Sequence, residues 1–286
     1  MPTRTDPGAR PKAEGAARQP VRGIQSYSAM SVYIAAHEDD WQLFMGVNAY
    51  YDIHDSSAKV LFIFTTAGDA DSGAAYYQAR EKGVRSSIKF AADAAFSPPA
   101  TPRSGTRTFN GRRIAFWRYK NTVSYFLRLP DGFPDGGRTG SLQQLYEGRV
   151  PRTSAIDGSA TYEGWESLVT TLEQLIRHEL GNISSLWLNA ADTDTTRNSD
   201  DHSDHYYSSV AAQQAVASLR CNKALFVDYA SAGLAPNVST GDLIDKSGTL
   251  AAYTKVMDDA GFTDRDSWDD GHVTWLSRNY FRTITV

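Results

Sequence analysis

Ser31-Val32-Tyr33-Ile34-Ala35-Ala36-His37-Glu38-Asp39-Asp40-Trp41 is a stretch of two halves with opposite characters, near the start of a 286-residue chain. The first five residues are uncharged and β-rich, the pattern of a buried strand. The remainder places an imidazole and two adjacent carboxylates at that strand's carboxyl end. Ligands bind at this edge in open α/β sheets. The stretch therefore suggests both a fold class and a location for chemistry.

Outward from it, strands and helices alternate. Lys59 to Thr66 reads as a second buried strand, followed by Ala67-Gly68-Asp69. From about Ala74 to Ala95 the chain is rich in good helix formers, and Pro98-Pro99 ends the run. Asn110-Gly111 between β-rich runs signals a hairpin, with strands expected over Arg113 to Arg118 and Thr122 to Leu129. Pro130 to Ala160 is Gly- and Pro-rich and reads as a long loop over one face; loops of that length are usually functional. Trp165, Leu168, Leu172, Leu175 and Ile176 give Tyr162 to Leu180 helical spacing. A strand is expected over Ile183 to Leu188, a helix over His205 to Leu219 and a strand over Lys223 to Tyr229. The alternation argues for an α/β fold, a mostly parallel sheet flanked by helices, with the hairpin as a local antiparallel addition.

Bulk composition fits an ordinary enzyme. With 286 residues, 41% of them hydrophobic, the chain can bury one large core. A net charge of -4 gives no electrostatic reason to expect nucleic acid or an anionic membrane as partner. No apolar stretch approaches the roughly 18–20 residues of a membrane span. The single cysteine, Cys221, excludes an intrachain disulfide framework and a cysteine-based zinc site; it reads as a half-buried structural thiol. Residues 1–29 are rich in Arg, Pro, Gly and Ala and lack the apolar core of a secretory signal. They read as a disordered leader before a single folded domain over 30–286, and a cytoplasmic location is expected.

A second polar cluster, Asp201-His202-Ser203-Asp204-His205, precedes the later helix. Each cluster alone admits a plain reading, as a helix cap or a solvated loop. Together they hold complementary ligand types at the ends of expected elements. A catalytic zinc site uses three N/O ligands and leaves a fourth position for water. His37, Asp40 and His205 can supply the three. Asp39, pointing differently from its neighbour on extended backbone, is left to take a proton from water. His202 can polarise a substrate carbonyl or protonate a leaving group. Asp204 is a candidate to orient a histidine of this pair and fix its tautomer. His54, His178 and His272 read as structural or surface residues.

These two motifs resemble those of the PIG-L/LmbE-like deacetylases, zinc enzymes of Rossmann-like fold. Ala36-His37-Glu38-Asp39-Asp40 is similar to their Ala-His-Pro-Asp-Asp motif, and His202-Ser203-Asp204-His205 to their His-Pro-Asp-His. The motif order, their separation and the intervening Thr66-Ala67-Gly68-Asp69 are similar too, so the resemblance covers about Val32 to Tyr229. It implies a Zn2+ ion on His37, Asp40 and His205, with Asp39 as general base. It implies His202 as the group that stabilises the tetrahedral intermediate, and Arg80 as a substrate-side arginine.

The reaction implied is hydrolysis of an N-acyl bond, commonly the acetamide of an N-acetylglucosamine unit, on a small N-acylated sugar or glycoconjugate. Two positions depart from the family pattern: Glu38 stands for Pro, and Trp41 for an acidic residue. The rival expectation is a non-catalytic protein that keeps fold and metal but only binds a sugar or a partner. Retention of Asp39 and His202 favours the enzyme, since neither is needed to hold a metal. The loops at Asp69 to Tyr77, Pro130 to Ala160 and Ala191 to Asp201 are expected to select the substrate, with Tyr76, Tyr77, Phe133 and Tyr146 able to stack on a sugar ring.

Overall fold

The computed structural model describes residues 27–262 and 270–286. Five strands form a parallel core: β1 (Ala29–Ala35), β2 (Ala58–Thr66), β5 (Thr122–Leu129), β8 (Ser185–Ala191) and β9 (Asn222–Phe226). The hairpin β3 (Arg103–Phe109) and β4 (Arg112–Tyr119) extends it antiparallel beyond β5, and β10 (Phe281–Ile284) pairs antiparallel with β9. The sheet order is β10-β9-β8-β1-β2-β5-β4-β3. A separate short ribbon joins β6 (Arg152–Ser154) to β7 (Thr161–Glu163). The protein is thus a single α/β domain with a mostly parallel sheet, as the alternation of elements led us to expect.

Helices cover both faces, which is why β1 reads as an unbroken apolar run. Val32 and Ile34 pack with α5 (Trp165–Leu180) and α6 (Ser203–Ala215), while Tyr33 and Ala35 pack with α2 (Gly46–His54), α3 (Ala74–Ala95) and α7 (Thr240–Asp259). The described residues also hold three short helices: α1 (Asp40–Phe44), α4 (Leu142–Tyr146) and α8 (Asp270–Leu276). β1 lies at the sheet's centre, with β2 on one side and β8 on the other. A reversal of strand order of this kind opens a crevice at the carboxyl ends, where the His37 motif stands.

Several boundaries differ from expectation. The hairpin turn is of the expected kind, with Asn110 and Gly111 both at positive φ (46° and 78°). The 130–160 segment is not all loop: α4 and β6 interrupt it. Tyr162 belongs to β7, and α5 starts only after Gly164 turns the chain at φ 73°. The strand before Tyr229 ends at Phe226, and Tyr229–Gly233 forms a 3-10 turn. Residues 1–26 of the expected leader lie outside the described residues, and Ala29 already belongs to β1. Cys221 is buried fully, not by half, and burial pushes its thiol up to about 11. Among the described residues no helix is long and apolar enough to cross a membrane.

Candidate metal centre

The first motif is a turn tied to the neighbouring strand. Thr66, the last residue of β2, bonds the Ala36 carbonyl through its backbone N–H at 3.1 Å and its hydroxyl at 2.8 Å. Asp40 then opens α1, and its Oδ2 accepts from the His37 backbone N–H at 2.7 Å. That bond fixes the carboxylate and leaves Oδ1 to face inward. Trp41 is fully buried against Phe62, with ring centroids 5.2 Å apart. Core packing of α1 therefore accounts for the aromatic residue at this position.

His37, Asp40 and His205 converge. His205 Nε2 lies 3.1 Å from Asp40 Oδ1 and 3.3 Å from His37 Nδ1, and His37 Nδ1 lies 3.5 Å from Asp40 Oδ1. All three side chains are buried. Ligands about 2.0–2.2 Å from a tetrahedral ion are separated from one another by about 3.3–3.6 Å, so the trio fits a divalent cation. Without one, the group gathers protons. Burial opposes a charge on either imidazole, but Asp40 beside them outweighs it and holds both well above the usual histidine range. Burial likewise works against the Asp40 charge, and His205 and His37 overcome it, keeping that carboxyl well below the usual range. Three atoms turned on one point could hold a cation there.

Two neighbouring sets of acidic and histidine residues adjoin this trio, and several of their atoms already have partners. In the set of His37, Asp131, His202 and Asp204, His202 Nδ1 accepts from the Asp204 backbone N–H at 3.1 Å, and Asp204 Oδ2 accepts from Gly132 N at 2.8 Å. In the set of Asp201, His205 and Asp228, His205 Nδ1 faces Asp201 Oδ1 at 2.8 Å and Asp228 Oδ2 at 3.5 Å, so it carries the proton. Both sets act as supports. Carboxylates on the remote nitrogen of a ligand histidine fix its tautomer and orientation.

Asp204 was expected to orient a histidine of its own motif. Its Oδ2 lies 3.5 Å from His37 Nε2 and 3.9 Å from His202 Nδ1, while Asp201 and Asp228 face His205. The tautomer of His202 is set by the Asp204 backbone: as N-cap of α6, His202 accepts on Nδ1, which leaves the proton on Nε2. Burial, with His37 and His205 beside it, lowers His202 to about 2, so this ring is neutral.

Asp39, the N-cap residue of α1, is bonded by the Arg80 guanidinium. Arg80 Nε lies 3.2 Å from Glu38 Oε2, and Nη1 donates to the Tyr76 hydroxyl at 3.3 Å. Glu38 is thus a buried partner for Arg80, where the resemblance has Pro. Gly68 makes room for the pair: at φ +49°, a Cβ there would sit 3.0 Å from both Arg80 Nε and Glu38 Oε2. Arg80 lines the cavity, while its guanidinium is engaged by these acids.

The cavity holds about 380 Å³, with His37, Asp39, Asp40 and His202 in its lining. Phe44, Tyr76, Tyr229 and Trp275 line it as well, and Tyr229 stacks on Trp275 at 5.2 Å. Of the four loop aromatics considered for stacking, only Tyr76 reaches the cavity. Tyr77 is buried under Arg128, Phe133 lies beneath Arg138, and Tyr146 packs on Trp165 and Tyr207. His272, read as a surface residue, lines the cavity from α8.

Sequence reading missed Asp131 as well. Held by Asp69 Oδ1 on its backbone N–H at 3.0 Å, it points one oxygen at His202 Nε2 and the other at His37 Nε2, each at 3.8 Å. Asp131 and Asp228 both follow the carboxyl end of a parallel strand, the one signal that could have flagged them.

No family model matches this chain, and no curated protein matches it. Among solved structures it is similar to one described as the crystal structure of a deacetylase–teicoplanin complex in the biosynthesis pathway of teicoplanin, at 14% identity and a TM-score of 0.46. The match covers 89% of this chain and 96% of that one. At that degree of likeness the site's own geometry has to carry the chemistry.

Proposed function

We propose that the protein is a metal-dependent amide hydrolase that removes an acyl group, acetyl first among candidates, from an N-acylated amino sugar or glycoconjugate, in the manner of the PIG-L/LmbE-like deacetylases. The observation that carries this reading is the convergence of His37 Nδ1, Asp40 Oδ1 and His205 Nε2 within 3.1–3.5 Å at the wall of a cavity that also exposes Asp39 and His202. An N/O donor set with no cysteine suits zinc. When bound, a zinc ion supplies Lewis acidity and brings the pKa of a water to about 7.

The chain's own groups do the rest. Asp39 removes the proton of the attacking water, and Arg80 holds its carboxylate in place. His202 presents Nε2–H to the negative charge developing on the acyl oxygen, a preorganised contact that strengthens in the transition state. Asp131 faces that ring across 3.8 Å. The proton taken by Asp39 returns to the departing amine from the same carboxyl. A neutral His202 could give up Nε2–H only by becoming an anion, and its Nδ1 is tied to the helix start.

Incubating the zinc-loaded protein with a panel of N-acylated amino sugars, and assaying acid and free amine, tests the reading. Equal release of both from at least one compound is expected, abolished by a chelator and restored by zinc. Amine release unaffected by metal removal would overturn it.

A further inference from the structure

The ring nitrogen of His205 that points away from the cavity joins the candidate metal centre to the fold, and one side chain organises its surroundings. Asn198 is buried in the loop between β8 and α6. Its Nδ2 donates to Asp201 Oδ2 at 2.8 Å and to the Asp192 backbone carbonyl at 3.3 Å, while its Oδ1 accepts from the Asp228 backbone N–H at 2.9 Å. Carboxylates and carbonyls only accept and a backbone N–H only donates, so a single amide orientation satisfies all three contacts. Asp201 and Asp228 are the two residues whose carboxylates face His205 Nδ1, at 2.8 and 3.5 Å.

We propose that Asn198 is a positioning residue of the metal centre: it clamps Asp201 and Asp228 around His205 Nδ1 and so aims Nε2 of that ring at His37 and Asp40. The inference rests on the metal-site reading above. Two acidic side chains directed at one imidazole N–H repel each other, and something must hold them there. Asn198 does so from both sides, through the side chain of one and the backbone of the other. Because Nδ2 occupies Asp201 Oδ2, only Asp201 Oδ1 is left for His205, and the carboxylate cannot swing without breaking one of the two bonds.

The clamp has a fixed base. Arg282 of β10 grips Asp192 through both carboxylate oxygens, at 2.6 and 2.8 Å, and the Asp192 backbone N–H bonds the Phe226 carbonyl at 2.7 Å. The edge strand at the end of the sheet thus braces the loop that carries Asn198.

Metal affinity of the purified full chain, measured by chelator competition, tests the proposal, with the visible spectrum of the cobalt-substituted protein as a second readout. Asn198→Ala should weaken metal binding about 10- to 100-fold, the usual effect of losing an outer partner of a ligand histidine. The cobalt bands should shift, since a merely destabilised fold would leave them in place. Asn198→Asp keeps the Oδ1 acceptor for Asp228 but sets a third carboxylate against Asp201, so it should weaken binding further. This variant also serves if the alanine form does not fold.

If Asn198 acts through Asp201, Asn198→Ala combined with Asp201→Ala should lose less affinity than the two single losses added together. Affinities within about twofold of wild type in both Asn198 variants, or full additivity in the double variant, would overturn the proposal. A wild-type protein that binds no divalent metal at all would instead overturn the metal-site reading and carry this inference with it.

Discussion

On the proposed mechanism His202 has two separable tasks, and substitutions can divide them. Its Nδ1 caps α6 by accepting from Asp204 N at 3.1 Å, and its Nε2–H faces the cavity. His202→Ala removes both. Loss of the cap costs about 0.5–2 kcal/mol of stability, a fall in Tm of a few degrees for a domain of this size. Loss of a preorganised donor to the acyl oxygen costs about 10²–10³ in kcat. His202→Asn keeps a cap acceptor on a shorter side chain that does not reach the cavity, so Tm should recover while kcat stays low. KM should move far less than kcat in both variants, because the contact is made chiefly in the transition state.

The ring is held neutral, lowered to about 2 by burial and by His37 and His205, and a bound cation pushes in the same direction. The kcat profile between about pH 5 and 9 should therefore contain no limb that disappears with His202→Asn. Steady-state kinetics on an active N-acyl substrate and thermal melts of the same preparations supply the data. A His202→Asn enzyme with kcat within a few-fold of wild type would refute the reasoning.

Asp39→Asn should leave metal content near one equivalent and lower turnover by at least about a hundredfold; metal analysis beside initial rates checks both halves. Lys246 offers a stability test away from the site. Fully buried, it donates to the carbonyls of Trp275, at 2.8 Å, and Arg278, and burial lowers its pKa to about 7. The unfolded chain holds this proton to about pH 10.4, so between about pH 7 and 10 the unfolded state binds more protons and stability rises with pH. The wild type should therefore gain up to about 1.4 kcal/mol per pH unit relative to Lys246→Met over that window. Urea melts at pH 7 and 9.5 measure the difference, and parallel slopes would mean the ammonium stays charged when buried.

The parts of the molecule legible from sequence were those with strong local patterns. β1 and β2 are covered on both faces and show unbroken apolar runs, and Pro98-Pro99 marks where α3 must stop. The three convergent side chains were legible because two short motifs happened to carry all of them. Three of the supporting residues were not, since they come from three different loops: Asp131 after β5, Asn198 after β8 and Asp228 after β9. No spacing links them; only the fold does. α7 escaped notice because Thr240 to Asp259 interleaves apolar and polar residues, and its buried positions include Lys246. Trp275 and His272 reach the cavity from a helix more than two hundred residues away from His37. Arg80 shows the reverse case: its place at the cavity was expected, but its engagement with Glu38 and Asp39 needed the geometry of Gly68.

Metal content of the purified protein and of two histidine variants tests the central claim most directly. Elemental analysis after exhaustive desalting, with anomalous scattering to locate the ion, should find about one divalent ion per chain, zinc foremost, between His37, Asp40 and His205. His205→Ala should lose that ion and His202→Ala should keep it. An ion that persists in His205→Ala and is lost in His202→Ala, or a well-ordered structure with no ion after zinc soaking, would contradict the account.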